Sequence, residues 1–136
     1  MKTVKAFIER SSEGDYSVYV DHNNKTLNYG IHGTGGTARE AIDDFVSAYK
    51  TMKEFYQNKG KEFLEAEFEY AYDTASFLQF YSSYFTLAGL SRLTGIAQGQ
   101  LSHYVNGTRN PSKRTIEKID TSIQNFAKNL NQVQVV

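Results

Sequence analysis

A chain of 136 residues, 40% hydrophobic and 14% aromatic, suits one domain or two small ones, and it is too apolar to be disordered. It has no cysteine, which excludes a disulfide scaffold, a cysteine metal site and a cysteine nucleophile. The formal net charge is zero, yet residues 1–85 hold 9 Lys/Arg against 13 Asp/Glu, a net of −4, and residues 86–136 hold 6 against 2, a net of +4.

That asymmetry suits a basic segment with an anionic partner, unless it is chance scatter of surface charge. The first residues, MKTVKAFIER, contain no long apolar run, so neither a signal peptide nor a membrane span is expected. The expectation is a soluble, cytoplasmic protein.

Two alternating stretches open the chain. Val4, Ala6 and Ile8 fall on one face of the first, and Tyr16, Val18 and Val20 on one face of the second, which is strand periodicity. Ser11–Asp15 between them reads as a hairpin turn, and Asp21–Lys25 as the next turn. A third strand is predicted over Leu27–His32, ended by the glycines of Gly33–Gly36.

Thr37 with Glu40 three residues on forms a capping box, in which the threonine hydroxyl takes a helix amide and the glutamate reaches back to the cap amide. The helix behind it carries Ala38, Ala41, Ile42, Phe45, Tyr49, Met52 and Tyr56 on one stripe and should end near Asn58–Gly60. From Leu64 the pattern alternates again, Ala66, Phe68, Tyr70 and Tyr72 against Glu65, Glu67 and Glu69, giving a fourth strand. Residues 1–72 thus read as a small antiparallel βββαβ domain and residues 73–136 as an all-α domain, an α+β chain.

The period turns helical at Asp73, where Asp73 or Thr74 can cap a helix holding Phe77, Leu78, Phe80, Tyr81 and Tyr84. Two short apolar helices then flank Gly95: Leu87, Leu90 and Leu93 or Thr94 before it, and Ile96, Leu101 and Tyr104 or Val105 after it. A glycine between short helices marks a steep helix-turn-helix corner, and small Ser91 lets the helices approach. The second helix exposes Gln98, Gly99, Gln100, Ser102 and His103, short or amide side chains suited to base edges and phosphates, and ends at Asn106-Gly107. Arg109, Lys113 and Arg114 follow at the start of a last helix striped by Ile116, Ile119, Ile123, Phe126 and Leu130, where cations and a helix N-terminus can grip phosphate. The tail VQVV is either an edge strand or frayed.

The span from Thr86 to Ile119 resembles the Cro/C1-type helix-turn-helix family. The carriers are Thr86, Leu90, Gly95, Ile96, Gln98, Leu101, Ser102, Asn106-Gly107 and Pro111 in their relative spacing. Ala97 stands where that family has a capping Ser or Thr, and Gly99 costs about 1 kcal/mol of helix propensity relative to Ala. The resemblance implies DNA binding, and with the exposed side chains read above the candidate DNA-binding residues are Thr86, Gln98, Gly99, Gln100, Ser102, His103, Asn106, Arg109, Lys113 and Arg114, against the alternative of a helical packing or dimerisation domain that lost DNA binding. One recognition helix reads only a half-site, so a homodimer or higher even oligomer is expected.

The first domain resembles the HicB-like antitoxins, on GDYSVYV (Gly14–Val20), YGIHGTGGTAREAIDDF (Tyr29–Phe45) and the length of the helix; the Pro-Gly-Cys-like element common in that family is missing here. The resemblance implies a reduced RNase H-like fold, a HicA-like mRNA interferase as partner whose active site the antitoxin covers, and repression of the shared operon. An RNA-cutting partner should be basic, which suits the acidic N-terminal half. Tyr19, Glu65, Glu67 and Glu69 are the candidate toxin-binding residues, the glutamate row being equally readable as a solvated strand face. No enzyme activity, metal or cofactor is expected: Asp15, Asp21, Asp43 and Asp44 are not forced together, His22, His32 and His103 are scattered, and GTGG lacks the Gly-Lys-Ser/Thr ending of a phosphate loop.

Overall fold

Alternation makes β1 (Lys2–Arg10) and β2 (Tyr16–Val20) as expected, antiparallel, with Ala6 opposite Val20 and Ile8 opposite Val18. The turn between them closes through Ser11 N–H to Asp15 O (2.7 Å), with Gly14 in the left-handed region at φ 95°. The computed structural model describes residues 1–21 and 25–136, so the turn expected at Asp21–Lys25, with His22, lies outside the described residues in its middle. The chain divides into two compact units, Met1–Ser76 and Phe77–Val136.

The third strand is displaced. β3 is His32–Gly35, pairing antiparallel with β2, rather than Leu27–His32. Gly33 and Gly35, two of the glycines expected to end a strand, lie within one. A Cβ on Gly33 would lie 2.4 Å from Ala41 O and 2.5 Å from Phe45 N, and one on Gly35 would lie 2.6 Å from Ala41 N. Glycine is there because the following helix packs directly onto the strand backbone. Leu27–Ile31 is held instead by side chains. The Tyr29 hydroxyl donates to Leu64 O (2.7 Å) and the Tyr56 hydroxyl to Asn28 O (3.0 Å), while Tyr29 stacks on Phe63 at 4.4 Å between ring centroids. Burial, then the neighbouring Tyr49, Glu65 and Tyr56, push the Tyr29 phenol far above its ordinary pKa.

α1 (Ala38–Asn58) starts where the capping box places it: the Thr37 hydroxyl accepts from Glu40 N–H (3.1 Å). Glu40 reaches one residue further back than expected, accepting from Gly36 N–H at 3.0 Å. The helix ends on Lys59, with Gly60 left-handed at φ 65°. Ala38, Ala41 and Phe45 of the helix and Val4, Ala6, Ile8 and Val18 of the strands are buried, and the Phe45 ring meets Phe68 edge-on at 4.9 Å.

β4 (Ala66–Tyr72) completes a sheet of order β3-β2-β1-β4 and runs parallel to β1, with Val4 beside Phe68 and Ala6 beside Tyr70. The sheet is therefore mixed, not wholly antiparallel. The connection explains it: α1 carries the chain from one sheet edge to the other, and a helical crossover returns the next strand in the direction of the strand before it. The α+β class stands.

α2 (Thr74–Tyr81) is capped by Asp73, whose carboxylate accepts from Ser76 N–H (3.2 Å). Within the second unit, α3 (Leu87–Thr94), α4 (Gln98–Val105) and α5 (Lys113–Leu130) enclose a core of Leu78, Leu90, Ile96, Leu101, Tyr104 and Ile119, packed by Phe85, Leu87 and Ile123. Of the apolar stripe on α5, Ile119 is buried, and Phe126 sets its ring against Phe85 at 5.8 Å; Ile116 and Leu130 stay exposed. Val133–Val136 form no strand.

Candidate nucleic-acid interface

The corner is built by local polar bonds as much as by glycine. Thr86 caps α3 by accepting from Gly89 N–H at 3.0 Å. Gly95 ends it at φ 75°, its N–H donating to Ser91 O (2.8 Å). The Ser91 hydroxyl then donates across the turn to Ile96 O (2.6 Å). Buried Thr94 donates to Leu90 O (2.7 Å) and accepts from Ile96 N–H (3.2 Å). Sequence reasoning saw Ser91 only as small and Thr94 only as an alternative to Leu93. For Thr94 the available signal was a hydroxyl at a helix end, where it reaches the carbonyl four residues back.

α4 begins on Ala97, which offers no side-chain cap. Leu101 and Tyr104 face inward. At 100° per residue, the direction opposite them is centred on Gly99 and Asn106, with Ser102 and His103 beside it and Gln98 and Gln100 on the two flanks. Gln98, Gly99, Gln100, His103 and Asn106 are exposed and Ser102 is half-buried. Nothing lies within 4 Å of a Cβ built on Gly99. The Gln100 amide nitrogen donates to the buried Tyr104 hydroxyl (2.6 Å), so the amide is oriented from within and keeps its carbonyl oxygen for an outside donor.

The end of α4 is tied to the connection that follows. The Thr108 hydroxyl donates to His103 O (3.2 Å) and lies 2.9 Å from His103 Nδ1, which ties the His103 ring to the connection. Gly107 turns the chain at φ 73°. Ser112 caps α5 by accepting from Thr115 N–H at 3.2 Å. Arg109, Lys113 and Arg114 are exposed. The first turn of α5 carries no acidic residue and two cations, which opposes the usual preference for negative charge at a helix N-terminus.

The residues expected to meet a protein partner separate. Tyr19 stands on the sheet face away from α1, its ring 5.8 Å from Phe7 and its hydroxyl donating to Glu9 (3.0 Å). Burial, then the Glu9 bond, raises the Tyr19 pKa. Exposed Glu67 and Glu69, aligned with Thr3 and Lys5 of β1, share that face. Glu65 precedes β4 and forms an ion pair with Lys53 of α1, so it leaves the row. Among the described residues, no three His, Asp or Glu side chains converge as a metal site would need, and Asp44 is occupied in accepting from Thr34 N–H (2.9 Å).

Residues 83–122 match the helix-turn-helix family model, of the Cro/C1 type, which supports a DNA-binding transcriptional regulator. No curated protein and no solved structure matches the chain. Among the described residues, no helix is long and apolar enough to cross a membrane.

Proposed function

We propose that this chain is the antitoxin of a toxin–antitoxin pair: it binds operator DNA through residues 77–136 as a homodimer and holds a HicA-like mRNA interferase through residues 1–76. The observation that carries the DNA half is the outward face of α4, made of Gln98, Gly99, Ser102, His103 and Asn106, followed at once by three exposed cations. Bases are read by the former and phosphates held by the latter. Lys113 and Arg114 at the N-terminus of α5 cost helix stability alone and are favourable once phosphate is bound.

The partner half is supported by the βββαβ order, which is the order that the HicB resemblance implies, and by the excess of acid over base before residue 86. An acidic antitoxin unit and a basic nuclease attract each other at long range. The proposed role is binding, with no catalysis by this chain.

Selecting DNA fragments bound by the full chain tests the first half. The recovered sites should be two-fold symmetric, with half-site centres about 34 Å apart. Replacing Gln98 and Gln100 together by Ala should abolish preference for those sites while the circular dichroism stays unchanged; an unchanged footprint would sink the assignment. Co-expression tests the second half: the chain should suppress the toxicity of a small basic interferase encoded beside it. A chain that binds its operator and ignores that protein is a regulator whose first unit only senses or oligomerises.

A further inference from the structure

The two edges of the sheet in residues 1–76 are finished differently. At the β3 edge, α1 supplies carboxylates to the backbone, Asp44 to Thr34 N–H (2.9 Å) and Glu40 to Gly36 N–H (3.0 Å). At the opposite edge, β4 runs seven residues with neither proline nor glycine, and among the described residues no strand lies beyond it. Its first amide, Ala66, is taken by the Tyr49 hydroxyl (3.1 Å). Beyond that point Glu67, Glu69 and Tyr70 are exposed. An edge of this length, unbroken by proline or a bulge, is a template for another strand.

Charge decides which strand. Symmetric antiparallel pairing of two copies over the length of β4 is centred on residue 69 and would bring Glu69 of one copy opposite Glu69 of the other, and like charges directly opposite are destabilising. Glu67 and Glu69 favour Lys or Arg across the ladder. Lys5 lies beside Glu69 within the sheet, yet residues 1–76 as a whole hold 9 Lys/Arg against 13 Asp/Glu. We propose that the β4 edge takes an added β-strand from a basic protein partner, one with Lys or Arg at alternate positions opposite Glu67 and Glu69. The proposal rests on the reading that residues 1–76 hold a protein partner, and it names the surface. Backbone pairing supplies affinity, and the alternating charges supply register and selectivity.

The probe is a blocked eight-residue peptide alternating Lys and Val, added to the isotope-labelled full chain. Amide shifts and slowed hydrogen exchange should concentrate in residues 66–72. Methylating alternate backbone nitrogens of the peptide, with its charge unchanged, should weaken binding at least about tenfold, and Glu67→Gln with Glu69→Gln about fivefold. Equal binding of the two peptides, or protection absent from residues 66–72, overturns the proposal. The double variant should bind operator DNA as wild type does. A basic partner, co-purified with the full chain, that binds wild type and double variant alike removes the β4 edge and leaves the partner reading standing. Peptide pairing on β4 with no basic protein recovered keeps the edge and removes that reading.

Discussion

Gly33→Ala measures how closely α1 is seated on β3. The new methyl group would stand 2.4 Å from Ala41 O and 2.5 Å from Phe45 N, both backbone atoms that no rotamer change can move. Ordinary contact needs about 1 Å more, so the helix must retreat by that amount. The retreat opens the packing around Phe45, which is fully buried. A gap of about 1 Å forfeits up to half of each contact's attraction, and overpacking itself costs about 1–3 kcal/mol. A loss of about 3 kcal/mol is expected, against roughly 4–11 kcal/mol for a unit the size of Met1–Ser76. Urea unfolding of the full chain, followed by tyrosine fluorescence, reads this directly. Seven of the ten tyrosines lie in that unit and the chain has no tryptophan. With a slope of about 1–3 kcal/mol per molar urea, the midpoint should fall by about 1–3 M. Gly30→Ala is the control. Nothing lies within 4 Å of its Cβ, and the change should stay within about 0.5 kcal/mol. If Gly33→Ala also stays within about 0.5 kcal/mol, the argument from close helix approach is wrong.

Three further outcomes are expected. Ala97→Ser supplies the cap that α4 lacks and should stabilise the second unit by about 1 kcal/mol, seen as a higher melting temperature; no gain would mean that the first-turn amides of α4 are already satisfied. Single replacement of Arg109, Lys113 or Arg114 by Ala should weaken binding to every DNA sequence and reduce the salt slope by about one unit each, whereas an unchanged slope marks a cation that only meets solvent. The Tyr29 phenol has a folded pKa raised above the ordinary 10.0, so its contribution is intact below pH 10 and is lost as pH rises further. The wild-type melting temperature should therefore drop more steeply above pH 10 than that of Tyr29→Phe, which at neutral pH gives up about 1 kcal/mol with its bond to Leu64 O. Parallel pH profiles for the two proteins would remove Tyr29 as the cause.

What could be read from the residues alone followed local rules. Thr37 and Gly60 bracket α1 because caps are chemistry of single positions, and Val4, Ala6 and Ile8 declare a strand because burial alternates. The helix-turn-helix corner was legible because Gly95 and the leucines around it have fixed spacing. The failures were non-local. A glycine demanded by a helix lying on it looks, in sequence, like a glycine in a loop, which is how β3 was misplaced at Leu27–His32. Alternation in Ala66–Tyr72 tells which side chains share a face and carries no direction, so the parallel pairing of β4 with β1 was invisible. The same blindness kept Glu65 in a row with Glu67 and Glu69, although Lys53, twelve residues earlier on α1, draws it away. For Gln100, side-chain type suggested a reader of bases; its inward bond to Tyr104 makes it also a brace for the helix.

Gly99 has a consequence for how such a protein diverges. At Gly99 the outward face of α4 carries no side chain, and a Cβ placed there meets no neighbour within 4 Å and improves the helix. A single substitution can therefore write a new contact at the centre of the reading surface without a stability penalty to be compensated elsewhere. Copies of this gene could part company in the operators they occupy by changing one codon, while the core of Leu90, Leu101 and Ile119 stays as it is.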